Sequence, residues 1–522
     1  MKKDTNYLTV ASIFQSHMVI QRDKPIVIWG NAPDLSNITV NFCGSTYTAA
    51  VTDQKWRCVL PSMDAGEGYT ITISCSHEDT SPIILEGISI GDIWLACGQS
   101  NMEFHLRYDE DWENVRNYEK NSKIHMYNVP QLAFEGHKKD TKGYGIWFYE
   151  GECGFETFSA PGYSFARHVQ PHINVPIGII GCNWGGSTAS AWLEEDYLSR
   201  EPLSVYLKEY EEAIKDISLE ELKKRSMEAY AFEESQKHAE DFMPLMYGRD
   251  EKWQQEYMKE HENDAFVPMG PWNINRPSGL YHQMLEPLIP FSIKGVLWYQ
   301  GESDAAHADI YDKLFSSLID CWRRKWKDNF PFLFVQLAPF KKWLACDATG
   351  YPEVRQKQEI VSKTVTNTAM ASIMDIGSYY DIHPKKKMEV GRRLALLARG
   401  KVYGENILCE SPELEKAERK DNQIILSFLH CGQSGDKSGL YIMDKTYNSI
   451  MADNHDVNGF LIMQNNEKIP IDSIEIKGNH ILLNFKDLKD TPCTIFFAWE
   501  EYVEVNVFNA AGLPLKPFEC TI

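Results

Sequence analysis

Asp92-Ile-Trp-Leu-Ala-Cys-Gly-Gln-Ser-Asn-Met102 is the stretch on which the reading turns. Its first half is an apolar run, the mark of a buried strand. Its second half, Gly98-Gln99-Ser100-Asn101, turns abruptly small and polar. A serine just past the end of a buried strand stands on a rigid base with its hydroxyl at the rim, where a nucleophile is needed. An ordinary strand-to-helix turn with Ser100 or Asn101 as N-cap reads the same way. The neighbouring stretches decide between the two.

From about residue 91 apolar strands alternate with helical patterns. The strands expected are Ile93–Cys97, Ile124–Val129, Ile177–Cys182, Gly295–Tyr299, Phe332–Leu337 and Met370–Asp375. Ile310, Leu314, Leu318, Cys321 and Trp322 keep helical spacing, and so do Val390, Leu394 and Leu397 after Pro384, which suits a first helical turn. Strands alternating with helices predict a parallel sheet covered on both faces. In such sheets ligands sit beyond the carboxyl ends of the strands. Four of these ends carry Gly-Gln-Ser100-Asn101, Asn183-Trp-Gly185-Gly186-Ser187, Gln300-Gly-Glu302-Ser-Asp304 and Asp381-Ile-His383. Those are the parts of a hydrolytic site, gathered by a sheet instead of by closeness in sequence.

Short alternating strands separated by turns precede and follow this region. They predict an N-terminal β-sandwich over residues 1–90 and a C-terminal β domain over 403–522, around a catalytic domain at 91–402. Residues 194–265 are dense in Glu and Lys and read as a helical insertion with solvated charged faces.

The formal charge of −21 argues against nucleic acid and against an anionic membrane surface. No run approaches the roughly 18 apolar residues of a membrane span. The 12 cysteines are scattered, with no CxxC pair or Cys/His cluster to suggest a metal, and no cofactor is expected. Lone thiols in a long chain fit a reducing compartment. Met1-Lys-Lys-Asp4 is followed by no apolar core of a signal peptide, so a cytoplasmic protein is expected, with a secreted or periplasmic one as the rival.

Ester hydrolysis needs a nucleophile, a base and oxyanion donors. Ser100 is the candidate nucleophile and His383 the base. Asp381 is placed to hold the imidazole, with Asp375 in reserve. The Ser100 N–H and that of Gly185 or Gly186 are the backbone oxyanion donors, and Gln300 is preferred to Asn101 and Asn183 as a side-chain donor. Trp192 and Trp298, beside the polar rims, are read either as core or as sugar-stacking residues, and Arg107 either holds a substrate carboxylate or pairs with a surface acid. Glu302 and Asn101 complete the candidate substrate-binding set, although Glu302 suits a helix cap equally well. With histidine as base, activity should fall on acidification around pH 6 to 7, roughly the ordinary imidazole range.

These blocks resemble those of the SGNH hydrolase superfamily, and more narrowly its sialate O-acetylesterase-like carbohydrate acetylesterases. Pro277-Ser-Gly-Leu-Tyr281, Pro287 to Glu302, Gly391-Arg-Arg-Leu-Ala395 and Met18-Val-Ile-Gln-Arg-Asp-Lys-Pro25 carry the same likeness. The resemblance implies a three-layer α/β/α, flavodoxin-like SGNH catalytic domain flanked by β-sandwiches, and removal of acetyl groups from an acetylated sugar or oligosaccharide. It implies Ser100 as nucleophile, His383 as base with Asp381 beside it, and a glycine of the Gly185-Gly186 pair in the oxyanion hole. The third block departs from the superfamily's Gly-x-Asn-Asp, reading Gly301-Glu-Ser-Asp304, which favours Gln300 as the missing donor. Xylan-, mannan- or xyloglucan-derived oligosaccharides are alternative substrates. Two other classes fit parts of the chain: a carbohydrate-binding protein with an inactive hydrolase core, and a lipid or thioester hydrolase. The intact Ser/His/Gly set speaks against the first and the charged insertion against the second.

Overall fold

A single 16-residue strand, Ile83–Gly98, joins the N-terminal β region to the central sheet. In the computed structural model, which describes residues 8–137, 141–233, 256, 267–343, 346–434, 437–443, 449–450 and 457–522, its first half pairs antiparallel with Gly66–Cys75. Its second half pairs parallel with Ile177–Asn183, in register from Asp92↔Ile177 to Gly98↔Asn183. The boundary expected at residue 90 therefore falls inside one continuous strand.

The chain divides into two compact units. One comprises described residues up to 233, with 267–298 and 317–332; the other comprises 299–316 and the described residues from 333 onward. In the first unit the sheet order is Trp147–Phe148, Ile124–Asn128, Ile177–Asn183, Ile83–Gly98 and Gly295–Tyr299, the last strand ending in the second unit. The inner strands pair parallel and the Trp147–Phe148 edge antiparallel, so the sheet is mixed. Every residue of Ile177–Asn183 is buried, as a strand covered on both faces requires. Helix Ala160–Ile173 is capped by Ser159, whose Oγ accepts the Gly162 N–H at 3.1 Å, and Phe165 meets Trp94 edge-on at 4.9 Å.

Within this unit Met18–Pro25 docks the N-terminal β region. Arg22 grips the buried Asp92 with two 2.9 Å bonds. Gln21 accepts the Ile93 N–H at 2.8 Å and donates to Asp92 at 3.1 Å, while Lys24 reaches Asp328 and the Ile293 carbonyl. Short helices Glu195–Leu198, Ser204–Ile214 and Leu219–Glu233 occupy the first part of the expected insertion; the remainder, 234–265, lies outside the described residues apart from 256, as do residues 1–7.

In the second unit Phe332–Val335 and Thr368–Ala371 are neighbouring strands. The latter starts two residues before the expected Met370–Asp375 and ends four residues before it. Beyond it, ladder bonds give way to side chains: Arg393 takes the Ser372 carbonyl at 2.9 Å, and Ser372 Oγ donates to Gln336 at 3.0 Å. Helix Lys387–Leu397 buries Val390, Leu394 and Leu397 as its spacing predicts, but it starts after Pro384, which stays in the preceding loop. Helix Tyr311–Trp326 buries Leu314, Leu318, Cys321 and Trp322. From Glu413 two four-stranded antiparallel sheets share a core of Ile424, Leu426, Phe428, Ile462, Ile481 and Ile495. Among the described residues no helix is long and apolar enough to cross a membrane.

Candidate active site

In the first unit Ser100 opens a one-turn helix, Ser100–Glu103, at the end of the long strand. The Met102 and Glu103 N–H groups both close on the Gln99 carbonyl at 2.9 Å. Ser100 is buried at 8 % exposure, just below the rim, and Asn101 at 1 %.

The loop after Ile177–Asn183 lies against this turn. The Trp184 N–H donates to the Gly98 carbonyl at 3.2 Å. A Cβ on Gly185 would stand 3.3 Å from Ser100 Cβ, so a side chain there would crowd the serine. Gly186 has φ +74°, open space around it and an exposed surface. Thr188 N–H donates to Asn275 Oδ1 at 2.8 Å, and Asn275 Nδ2 donates to the Gly186 carbonyl at 3.1 Å. The Ser278 N–H in Pro277–Tyr281 donates to the Ser190 carbonyl at 3.1 Å, so that motif braces the glycine loop from outside.

Glu103 was not among the expected residues. Its Oε2 accepts the Gly185 N–H at 2.6 Å and its Oε1 accepts from Gln131 Nε2 at 2.8 Å. The pattern Ser100-Asn-Met-Glu103 could have flagged it, because S-x-x-E is a capping-box spacing; here the carboxylate reaches a neighbouring loop instead. The Gly185 N–H is thereby committed, which corrects its expected place among the oxyanion donors.

Other expectations are corrected too. Trp192 and Trp298 are fully buried. Trp192 donates to Ser187 Oγ at 3.0 Å, and Trp298 packs edge-on to Trp322 at 5.7 Å, so both are core and neither offers a sugar-stacking face. Arg107 stands 3.9 Å from the exposed Glu156 and lies over the Tyr108 ring at 4.8 Å, the surface-acid option. Asn183 Nδ2 faces the Ala96 carbonyl at 3.4 Å.

In the second unit Gln300 is fully buried. Its Nε2 donates to Asp304 at 2.5 Å and its Oε1 accepts from Tyr311 at 3.1 Å. The amide therefore buttresses the 3-10 helix Glu302–Ile310 and is not presented as an oxyanion donor. Glu302 is the first residue of that helix; the cap position is Gly301, with no side-chain cap bond, so Glu302 is not the cap. Burial first, and the Glu302 carboxylate second, hold the Tyr299 hydroxyl well above its ordinary range.

His383 is 2 % exposed. Burial, with the Lys387 ammonium second, pushes its imidazole down to about 3. Lys387 is itself buried, 5.4 Å from the Tyr299 ring. Asp381 Oδ1 accepts the His383 backbone N–H at 2.8 Å and lies 3.9 Å from Nδ1, beyond hydrogen-bond length. Burial raises the Asp381 carboxyl above its ordinary value, against that bond and the two lysines Lys387 and Lys385. Asp375, the reserve acid, is locked to Arg393 by bonds of 2.6 and 2.7 Å. No group of three or more His, Cys, Asp or Glu among the described residues is placed to hold a metal ion.

Residues 90–232 and 268–398 match the family described as carbohydrate esterase, sialic acid-specific acetylesterase. The chain belongs to that family. It is a sialate O-acetylesterase-like carbohydrate acetylesterase, a carboxylic ester hydrolase. The sialate O-acetylesterase of Rattus norvegicus is 26% identical over 460 residues, covering 78% of this chain and 76% of that protein. The Homo sapiens sialate O-acetylesterase is 25% identical, covering 81% and 76%. The crystal structure of a carbohydrate acetylesterase from Xanthomonas citri superposes with a TM-score of 0.73 at 26% identity, over 98% of this chain and 99% of that one. The mixed α/β sheet with additional β-rich regions is thus the fold of a carbohydrate acetylesterase.

Proposed function

We propose that this esterase is a serine hydrolase of the SGNH kind, with a three-layer α/β/α core, and that it removes O-acetyl groups from sialic acids. The observation that carries the reading is the approach of Gly185 to Ser100, 3.3 Å from a would-be Cβ, at the ends of two in-register parallel strands. It gives one serine a rigid base and a glycine loop beside it.

Ser100 Oγ attacks the acetyl carbonyl carbon and passes its proton to His383. The carbonyl oxygen becomes an oxyanion received by the Ser100 and Gly186 N–H groups, each worth about 3 kcal/mol. The ester C–O bond breaks and the sugar oxygen takes the proton from His383. Water gives a proton to His383 and attacks the acyl carbon, the Ser100 Oγ–C bond breaks, Oγ takes the proton back and acetate leaves. The SASA family and the names of the relatives support a sialic acid substrate. We also propose a cytoplasmic location, since cysteines scattered singly along the chain suit a reducing compartment, with a secreted or periplasmic location as the rival.

Acetate release is the test, measured on O-acetylated sialic acids and on acetylated xylo- and manno-oligosaccharides, with Ser100→Ala as control. Release from the sialic acids, abolished in a folded Ser100→Ala, is expected. Release only from neutral oligosaccharides overturns the substrate; unchanged turnover in the variant overturns the mechanism.

A further inference from the structure

The segment that carries Asp381 and His383 does not run alone. Phe340 and Ser378 form a parallel bridge, and the N–H groups of Lys341 and Lys342 both donate to the Tyr379 carbonyl, at 3.2 and 3.1 Å. Gly377 makes this approach possible, since a Cβ there would lie 2.1 Å from the Pro339 carbonyl oxygen. The two segments are zipped together through their backbones.

Just beyond the zipper, Lys342–Trp343 pairs with Cys346–Asp347 in a short hairpin. It sets the Trp343 indole against the His383 imidazole, centroids 5.1 Å apart and planes at 89°. An edge-to-face pair of this kind restrains both rings. Among the described residues the buried Trp343 Nε1 has no hydrogen-bond partner. A buried donor without an acceptor is a cost, so hydrogen bonding does not account for a tryptophan here; the packing of its ring does. Asp381, meanwhile, spends Oδ1 on the His383 backbone and stands outside hydrogen-bond length of Nδ1. It shapes the loop and leaves the ring to another group.

We propose that Trp343 is a positioning residue that sets the orientation of the His383 ring, the part a carboxylate plays in a Ser-His-Asp triad. This rests on His383 being the base. The carboxylate keeps the His383 backbone in place, and the indole holds the imidazole through face and edge. Misplacing a reacting group by about 1 Å costs on the order of 100-fold in rate, so ring orientation is a sensitive point.

The full-length chain is compared with Trp343→Phe, Trp343→Leu, Trp343→Ala, Asp381→Asn and His383→Ala, reading kcat and KM for acetate release alongside the melting midpoint. His383→Ala should be inactive. Trp343→Ala should lose about 10- to 100-fold in kcat with KM little changed. Trp343→Phe, which keeps an aromatic face, should recover most of that loss, and Trp343→Leu, which fills space without one, should not. Asp381→Asn should lose less than Trp343→Ala. Should the alanine variant fail to fold, the Phe and Leu pair still decides. Full kcat in Trp343→Leu beside an inactive His383→Ala overturns the positioning role alone. An active His383→Ala overturns the assignment of the base, and the positioning role with it.

Discussion

Glu103 is where a single substitution should separate loop geometry from chemistry. Glu103→Ala removes the carboxylate that receives the Gly185 N–H at 2.6 Å and Gln131 Nε2 at 2.8 Å. Hydrogen bonds to a charged acceptor contribute about 1.5–3 kcal/mol each. Gln131 retains the Asn183 carbonyl at 3.2 Å, and Gly185 is only half-buried, so water replaces part of the loss. A stability decrease of about 2 kcal/mol follows from those terms. The kinetic effect should be larger than that suggests. Gly185 is pressed against Ser100 and immediately precedes Gly186. Losing an oxyanion donor altogether costs about 100- to 1,000-fold in kcat. A loop that drifts without unfolding should lose part of this, about 10- to 100-fold. Glu103→Gln still offers Gly185 an acceptor and should lose about tenfold or less. Initial rates of acetate release at saturating substrate, read beside the melting midpoint, give both quantities. A folded Glu103→Ala with wild-type kcat would refute the claim that this carboxylate positions the glycine loop.

Burial and Lys387 hold the His383 imidazole down to about 3. As the proposed base, His383 works when neutral, so lowering its pKa keeps it neutral to lower pH, and the acid limb of kcat/KM should lie well below the range of about 6 to 7 that an ordinary imidazole implies. Lys387→Met removes a cation that disfavours the imidazolium and should move the limb upward; a wild-type limb centred on the ordinary value would refute this. Arg22→Met leaves the buried Asp92 without its two-bond partner, and breaking such a pair costs about 3–5 kcal/mol. The melting midpoint should fall with kcat at moderate temperature unchanged, and an unaltered midpoint would refute the docking role.

What was legible in the sequence was what is local. An apolar run that stops at Gly-Gln-Ser states both the strand and the residue at its end, and Ile83–Gly98 ends as that pattern predicts. Leu314, Leu318, Cys321 and Trp322 reveal a buried helical face because period and burial are one fact seen twice. The misreadings concern which way a side chain turns at a strand end. Trp192 and Trp298 sit beside polar residues, and nothing in their spacing says that both rings turn inward. Gln300 looks like a donor in a glutamine-glycine turn until Asp304 and Tyr311, four and eleven residues on, claim its amide. Trp343 carried no signal, because the zipper that brings it to His383 is made by backbone atoms of two distant segments.

The N-terminal β region follows the same logic at a larger scale. Its motif Met18–Pro25 looks unrelated to hydrolysis, yet Gln21 and Arg22 act on Asp92 and Ile93, eight and seven residues before Ser100, on the strand that leads to it. At about 3.3 Å per residue that is roughly 25 Å from the serine, too far for the guanidinium to act on the chemistry. What such a contact can do is fix one end of the strand whose other end leads to Ser100, the proposed nucleophile. The same strand also pairs with Gly66–Cys75 over its first half and with Ile177–Asn183 over its second. A nucleophile at the tip of a strand is only as well placed as the strand, and here two kinds of sheet share the task of holding it.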